Sequence, residues 1–190
     1  MATQGEMKMK NKFIVLLMGK SGSGKTTIAD ALNKKYGWTS IQSYTTRSPR
    51  YPNETGHIFV TDEEFDALGE MVAYTEFAGA RYCATTQQVE ENQVYVIDPD
   101  GYEYFMQAYN GKKLVIPIGI LCEEEKLFER MIARGDSFAN ASARIEHDKK
   151  KFSKMDDLSA CFIDSNSYTR EENADLIHWM VSKSVVNNNL

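Results

Sequence analysis

The sequence predicts a three-layer α/β fold with a mostly parallel sheet and a β-rich insertion, and three observations predict it. Apolar runs of strand length alternate with helix-period segments along the 190 residues, the pattern of successive βα units. The first run, Phe13–Met18, is apolar at every position and reads as a strand buried on both faces. It leads without a gap into Gly19-Lys20-Ser21-Gly22-Ser23-Gly24-Lys25-Thr26, which fits G-x-x-x-x-G-K-[ST]. Ile28, Leu32 and Tyr36 then recur every four residues, one stripe of an amphipathic helix.

The residue types of this loop suit a triphosphate. Glycines let the backbone curl until several N–H groups converge on phosphate oxygens. The helix N-terminus behind them adds partial positive charge. Ser21, Gly22, Ser23, Gly24, Lys25, Thr26 and Thr27 are the expected ATP-binding residues. Lys25 can reach the β- and γ-phosphates, and the Thr26 hydroxyl can ligate Mg²⁺. A Gly/Ser-rich turn that binds nothing is the alternative. Strand, loop and helix in register argue against it.

Length and composition bound the rest. The 190 residues, 42% hydrophobic and 26% charged, suit one globular domain with a real core. A net charge of -5 opposes nucleic acid as a non-specific partner, so basic surface must be local. Cys83, Cys122 and Cys161 are odd in number, far apart and without a metal-ligand spacing, which suits reduced thiols and a cytoplasmic location. No run has transmembrane length, and Phe13–Met18 is too short for a signal peptide. Residues 1–12 and the tail Val185–Leu190 read as loose, leaving 13–184 as the domain.

Taken in order, Gly37 stops the first helix and Trp38–Ser43 begins an extended segment. Ser43–Phe59 is a basic loop, stiffened by Pro49 and Pro52 and carrying Arg47 and Arg50. Arginine grips phosphate bidentately, so a second Arg-bearing loop points to a second phosphorylated substrate. Thr61-Asp62-Glu63-Glu64 is a capping box for a short helix burying Phe65 and Leu68. Met71–Phe77 alternates loosely toward a hairpin turn at Gly79. Thr85 or Thr86 caps a helix through Val89, and Val94–Ile97 is a core strand ending at Asp98-Pro99-Asp100-Gly101. A carboxylate just past such a strand lies on the ligand side, which favours a functional Asp98 and leaves Asp100 to the turn.

Tyr102–Tyr109 reads as a helix burying Phe105, and Lys113–Ile120 as a strand. Glu123–Arg134 is a helix with Leu127, Phe128, Met131 and Ile132 inward, and Arg144 opens a further helix. Leu158–Ile163 is the last strand. Thr169–Glu172 caps a final helix that packs through Leu176, Ile177, Met180 and Val181. His147 and His178 lack metal-ligand spacing and are read as structural.

The segment Ser43-Tyr44-Thr45-Thr46-Arg47-Ser48-Pro49-Arg50 resembles the Ser-x-Thr-Thr-Arg-x-Pro-Arg segment of the guanylate kinases, and the resemblance extends over Phe13–Val181. It implies a P-loop fold with a monophosphate-binding lobe at about 41–85 and a helical lid at about 135–143. It implies that Arg47, Arg50 and Tyr82 hold the acceptor phosphate, with His57 where the family has a second tyrosine. Ser43 would face the base, and Asp98 the acceptor and magnesium-bound waters. Arg134 and Arg144 would act with Lys25 as catalytic groups on lid closure. Arg130 occupies a third matching position, and Asp164-Ser165-Asn166 falls where the family has an asparagine near adenine.

Two positions depart from the family pattern. Ala73 stands where the family reads guanine with an acid, and Ala84 where it has a serine. Glu76 has the opposite strand parity to Ala73 and needs a bulge to substitute; Thr85 lies nearby. The implied activity is transfer of the γ-phosphoryl group of Mg·ATP to GMP or dGMP, by a monomer or homodimer without nucleic-acid or membrane partners. Two rivals stay open: a nucleoside monophosphate kinase with different or relaxed base preference, and a non-catalytic module that docks a phosphorylated protein. The intact Lys25-Thr26 pair argues against the second.

Overall fold

The computed structural model describes residues 12–49, 52, 54–77 and 79–188. Arg50 and Met1–Asn11 lie outside the described residues. Strands β1 (Phe13–Met18), β6 (Val94–Val96), β7 (Leu114–Leu121) and β8 (Cys161–Asp164) form a parallel sheet in the order β6-β1-β7-β8. All six residues of the central β1 are buried, which explains its unbroken apolar run. Phe13, Val15 and Leu17 pack with α1 (Lys25–Tyr36) and α8 (Arg170–Asn187) through Ile28, Leu32, Ile177 and Val181. Ile14, Leu16 and Met18 pack on the opposite face with Tyr95, Ile97, Phe105, Val72, Ala73 and Ala84. Each fully buried aliphatic or aromatic side chain stabilises by roughly 1.5–3 kcal/mol, so β1 is a principal anchor of both layers.

A second sheet carries the insertion. Strands β2 (Ser43–Thr45), β3 (His57–Phe59), β4 (Met71–Phe77) and β5 (Ala80–Thr85) take the order β3-β2-β5-β4. β2 runs parallel to β3, and β5 runs antiparallel to both β2 and β4. Gly79, at φ 77°, supplies the left-handed residue in the β4–β5 turn. A register shift lies between Met71 and Ala73, after which Ala73 pairs with Ala84 and Glu76 with Arg81. The bulge therefore precedes Ala73 and leaves the opposite parity of Glu76 unchanged.

The helices α2 (Asp62–Asp66), α3 (Thr86–Glu91) and α8 start in reciprocal capping boxes from Thr61 and Glu64, Thr85 and Gln88, and Thr169 and Glu172. α4 (Pro99–Ala108) follows β6, and α7 (Met155–Leu158) precedes β8. α5 (Glu124–Ala133) and α6 (Phe138–Lys151) share a small core of Leu127, Met131, Ala141 and Ile145.

Several boundaries differ from the sequence reading. α6 begins at Phe138 because the Ser137 hydroxyl accepts from the Asn140 N–H, so Arg144 lies mid-helix. The expected lid, 135–143, is a turn through Gly135 (φ 100°) followed by the first part of α6. Leu158 ends α7, and the last strand starts at Cys161. α8 continues to Asn187, with Val185 only 2% exposed in the stripe Ile177, Val181, Val185. The expected loose tail is therefore helical to that point. Leu176 and Ile132 face outward, off the buried stripes of their helices.

Candidate active site

A cavity of 690 Å³ lies between the phosphate loop, the second sheet and α6. Gly19, Ser21 and Lys25 line one end, and Ser43, His57, Thr75 and Tyr82 line the other. Arg144, Asp148 and Lys151 flank it from α6.

At the loop end, Gly22 (φ 80°) and Gly24 (φ 92°) take left-handed conformations. A Cβ on Gly22 would sit 2.7 Å from the Leu127 carbonyl oxygen, so the loop can follow this path only with glycine there. α1 starts at Gly24 without a side-chain cap, leaving its first N–H groups open to an anion. Thr27 Oγ1 donates to the Gly24 carbonyl at 2.8 Å, while the Thr26 side chain is exposed. Ser23 is buried. Lys25 Nζ lies inside the curl and donates to the carbonyls of Gly19 (2.6 Å) and Lys20 (2.9 Å) and to Ser23 Oγ (3.4 Å). Burial lowers its pKa from 10.5 to about 8; Arg144 and Arg134 add to the lowering, and Asp148 and Asp98 oppose it.

Arg144, Asp148 and Lys151 fall at i, i+4 and i+7, one face of α6. Asp148 Oδ2 accepts the Ser21 N–H at 2.6 Å, and Arg144 Nε donates to Ser21 Oγ at 3.2 Å. Lys151 Nζ donates to Asp98 Oδ2 at 2.7 Å and lies 3.1 Å from Asp100 Oδ2. This face thus ties the phosphate loop to the C-terminal end of β6. Arg144, expected as a catalytic group on lid closure, is turned with Asp148 to Ser21. Lys151 and Asp148 were missed, and their only signal was the shared helical face. His147, read as structural, also lines the cavity, with Nδ1 3.3 Å from Asp148 Oδ1. His178 is stacked on Tyr36 at 3.8 Å, a packing role.

The remaining expected residues divide. Asp98 caps α4, its Oδ1 accepting the Gly101 N–H at 2.7 Å, so the turn chemistry set aside for it is present alongside its place in the cavity. Arg134 pairs with Asp136 (2.5 Å), which also lies 3.8 Å from Arg144 Nη1. Arg130 braces the loop from behind, donating to the Ser165 carbonyl (2.6 Å) and Ser165 Oγ (3.2 Å), with Nη1 3.4 Å from the Gly22 carbonyl oxygen. Asn166 Oδ1 accepts the Glu123 N–H ahead of α5, and Asp164 accepts from Asn166 N and Ser167 Oγ.

At the lobe end, Ser43 Oγ and His57 Nδ1 lie 2.9 Å apart, as the Ser43–His57 register of β2 and β3 requires. Tyr82 packs edge-on against His57 at 5.6 Å. Arg47 does not line the cavity. Its guanidinium forms a bidentate pair with Glu54 at 2.9 and 2.7 Å and lies over the Phe59 ring. The Glu54 hydrogen bond raises its pKa, with desolvation opposing. Arg47 Nε is buried without a hydrogen-bond partner among the described residues. Thr75, two residues beyond Ala73, lines the cavity and was missed, whereas Glu76 is exposed and accepts from the Tyr74 hydroxyl.

The phosphate loop, the parallel sheet and the facing lobe define a P-loop protein with the kinase type of α/β fold. A family model described as an AAA domain (AAA_18) matches residues 15–153, and the chain belongs to that family. Among solved structures it is similar to guanylate kinase from Anaplasma phagocytophilum, at 24% identity and TM-score 0.63, over 92% of this chain and 87% of that one. It is also similar to shikimate kinase from Acinetobacter baumannii in complex with shikimate, at 12% identity and TM-score 0.54, over 94% and 98% of the two chains. Comparison with curated proteins gives no match. No helix among the described residues is long and apolar enough to cross a membrane.

Proposed function

We propose that this chain is a nucleoside monophosphate kinase that transfers the γ-phosphoryl group of ATP to the 5′-phosphate of an acceptor, with GMP or dGMP the first candidates. The observation that carries the proposal is the single cavity joining Lys25 and Ser21 to Ser43, His57 and Tyr82. An acceptor that is already an anion needs little base catalysis; the demand is to position two phosphates in line and neutralise their charge. The uncapped α1 terminus, Gly22, Gly24 and Lys25 bind the triphosphate. Tyr82 and His57 meet the acceptor phosphate, with the buried Arg47 Nε behind them and Arg50 on the same loop. Arg144, which lines the cavity, would meet the γ-phosphoryl group, and Arg134, outside the cavity lining and paired with Asp136, would join it on closure; an arginine there can be worth about 10³–10⁵ in rate.

No group of three or more His, Cys, Asp or Glu side chains among the described residues is arranged to hold a metal by itself. Mg²⁺ carried by nucleotide takes one or two protein groups and keeps its waters. The exposed Thr26 hydroxyl fits as the direct ligand and Asp98 as a contact through water. Bound there, the ion supplies charge neutralisation on the phosphates.

A second reading, relaxed base preference, is favoured by one observation: Ala73 and Ala84 are cross-strand partners and almost fully buried, an apolar patch at the expected base-reading position. A panel of monophosphates with Mg·ATP separates the two. The guanylate reading expects GMP or dGMP to outrun AMP, CMP and UMP, and equal turnover of AMP and GMP ends it. Lys25→Ala should abolish turnover; a wild-type protein that turns over no monophosphate ends the kinase proposal.

A further inference from the structure

The floor of the cavity holds a polar group that the site described so far does not use. Tyr95, on β6, is 6% exposed and lines the cavity. Its ring belongs to the same apolar cluster as Ala73 and Ala84, which are 1% and 0% exposed. Ala73 and Ala84 are cross-strand partners, of which Ala73 lines the cavity, and a phenol from the neighbouring sheet packs in the same cluster. Its hydroxyl makes no hydrogen bond to the described residues and is not among their fully enclosed, unpartnered polar atoms, and the residue lines the cavity. A phenol this buried ordinarily finds a partner; here a ligand in the cavity would supply it. Burial, with Asp98 and Cys83 nearby, pushes the Tyr95 pKa far up, so the group stays a neutral O–H donor.

The carboxylates around it are committed elsewhere. Asp98 is held by Lys151 and the Gly101 N–H, Asp148 by the Ser21 N–H, and Asp136 by Arg134. Glu76 is exposed and bonded to the Tyr74 hydroxyl. Guanine presents two adjacent donors, N1–H and the 2-amino group, for which a carboxylate is the matched acceptor. A pocket that offers the hydroxyls of Tyr95, Thr75 and Ser43 instead has no carboxylate for that pair.

We propose that Tyr95 is a specificity-determining residue: its hydroxyl hydrogen-bonds the base of the acceptor monophosphate beside Ala73 on the cavity floor, and the pocket leaves the 2-amino group of guanine unread. This rests on the monophosphate kinase reading. GMP and IMP differ only in that amino group, so they are the probes.

The experiment measures steady-state kinetics and equilibrium binding of both with wild type and Tyr95→Phe, each checked for folding by thermal melt. Wild type should use GMP and IMP with kcat/KM within about tenfold. Tyr95→Phe should raise KM for both by about tenfold, the loss of one neutral hydrogen bond, with kcat and the KM for ATP little changed. A merely structural tyrosine would move all three parameters or none. A preference for GMP over IMP above about 100-fold, or an unchanged KM in folded Tyr95→Phe, overturns the inference while leaving the kinase reading intact. If wild type binds both without turnover and Tyr95→Phe weakens that binding, the kinase reading fails and the base contact stands. If neither monophosphate binds, the inference falls.

Discussion

Lys25 makes a quantitative prediction about nucleotide binding. Its ammonium is confined within the loop and its pKa is lowered to about 8, mainly by burial. Triphosphate binding requires the charged form, so raising the pH past 8 forces a proton to be taken up on binding. At pH 9 only about one Lys25 in eleven is protonated, a penalty of about 1.4 kcal/mol, or about tenfold in Kd. The Kd for Mg·ATP should thus be flat below pH 7.5 and weaken about tenfold per pH unit above 8. The assay is calorimetric titration between pH 7 and 9.5, run in buffers of different ionisation enthalpy to count the proton. Lys25→Met should bind weakly with no such slope. The sign for stability is the opposite of that for binding. Folded Lys25 releases its proton before unfolded lysine does, so the cost of burying its charge is present below pH 8 and is relieved as pH rises from 8 toward 10.5. A wild-type Kd that stays constant from pH 7 to 9.5 refutes the reasoning.

Two further substitutions test the scaffold. Gly22→Ala places a methyl in a left-handed conformation and 2.7 Å from the Leu127 carbonyl oxygen; ATP binding measured by titration should fall at least tenfold, with the protein still folded by circular dichroism. Arg47→Ala should destabilise by about 1.5–3 kcal/mol, because Glu54, its side chain 6% exposed, loses both charge-assisted hydrogen bonds from the guanidinium. Denaturant unfolding checks it, and adding Glu54→Gln should recover part of the loss. A fully additive double mutant contradicts the pairing.

What was legible in the sequence was local. The phosphate loop and the capping boxes at Thr61 and Thr169 declare themselves within a few residues, and the apolar stripes place β1 and α1. The site's partnerships were not legible, because they join segments far apart. Nothing around Arg47 signals that Glu54 neutralises it, and Arg144 with Asp148 reads as an ordinary i, i+4 pair until the phosphate loop is seen beside them. Tyr95 hid because an aromatic residue in an apolar strand reads as core packing. The final asparagines masked the stripe that carries α8 to Val185. Parity reasoning did hold for Glu76, since the bulge falls before Ala73 and not between the two.

The central claim is that a donor and an acceptor phosphate site meet in one cavity. Adenosine and guanosine joined by a 5′,5′-pentaphosphate chain would span both at once. It should bind one to one, at least about 100-fold tighter than ATP or GMP alone, exclude both, and lose that advantage in Lys25→Ala. Affinity no better than that of ATP, or GMP still binding alongside it, would contradict the account.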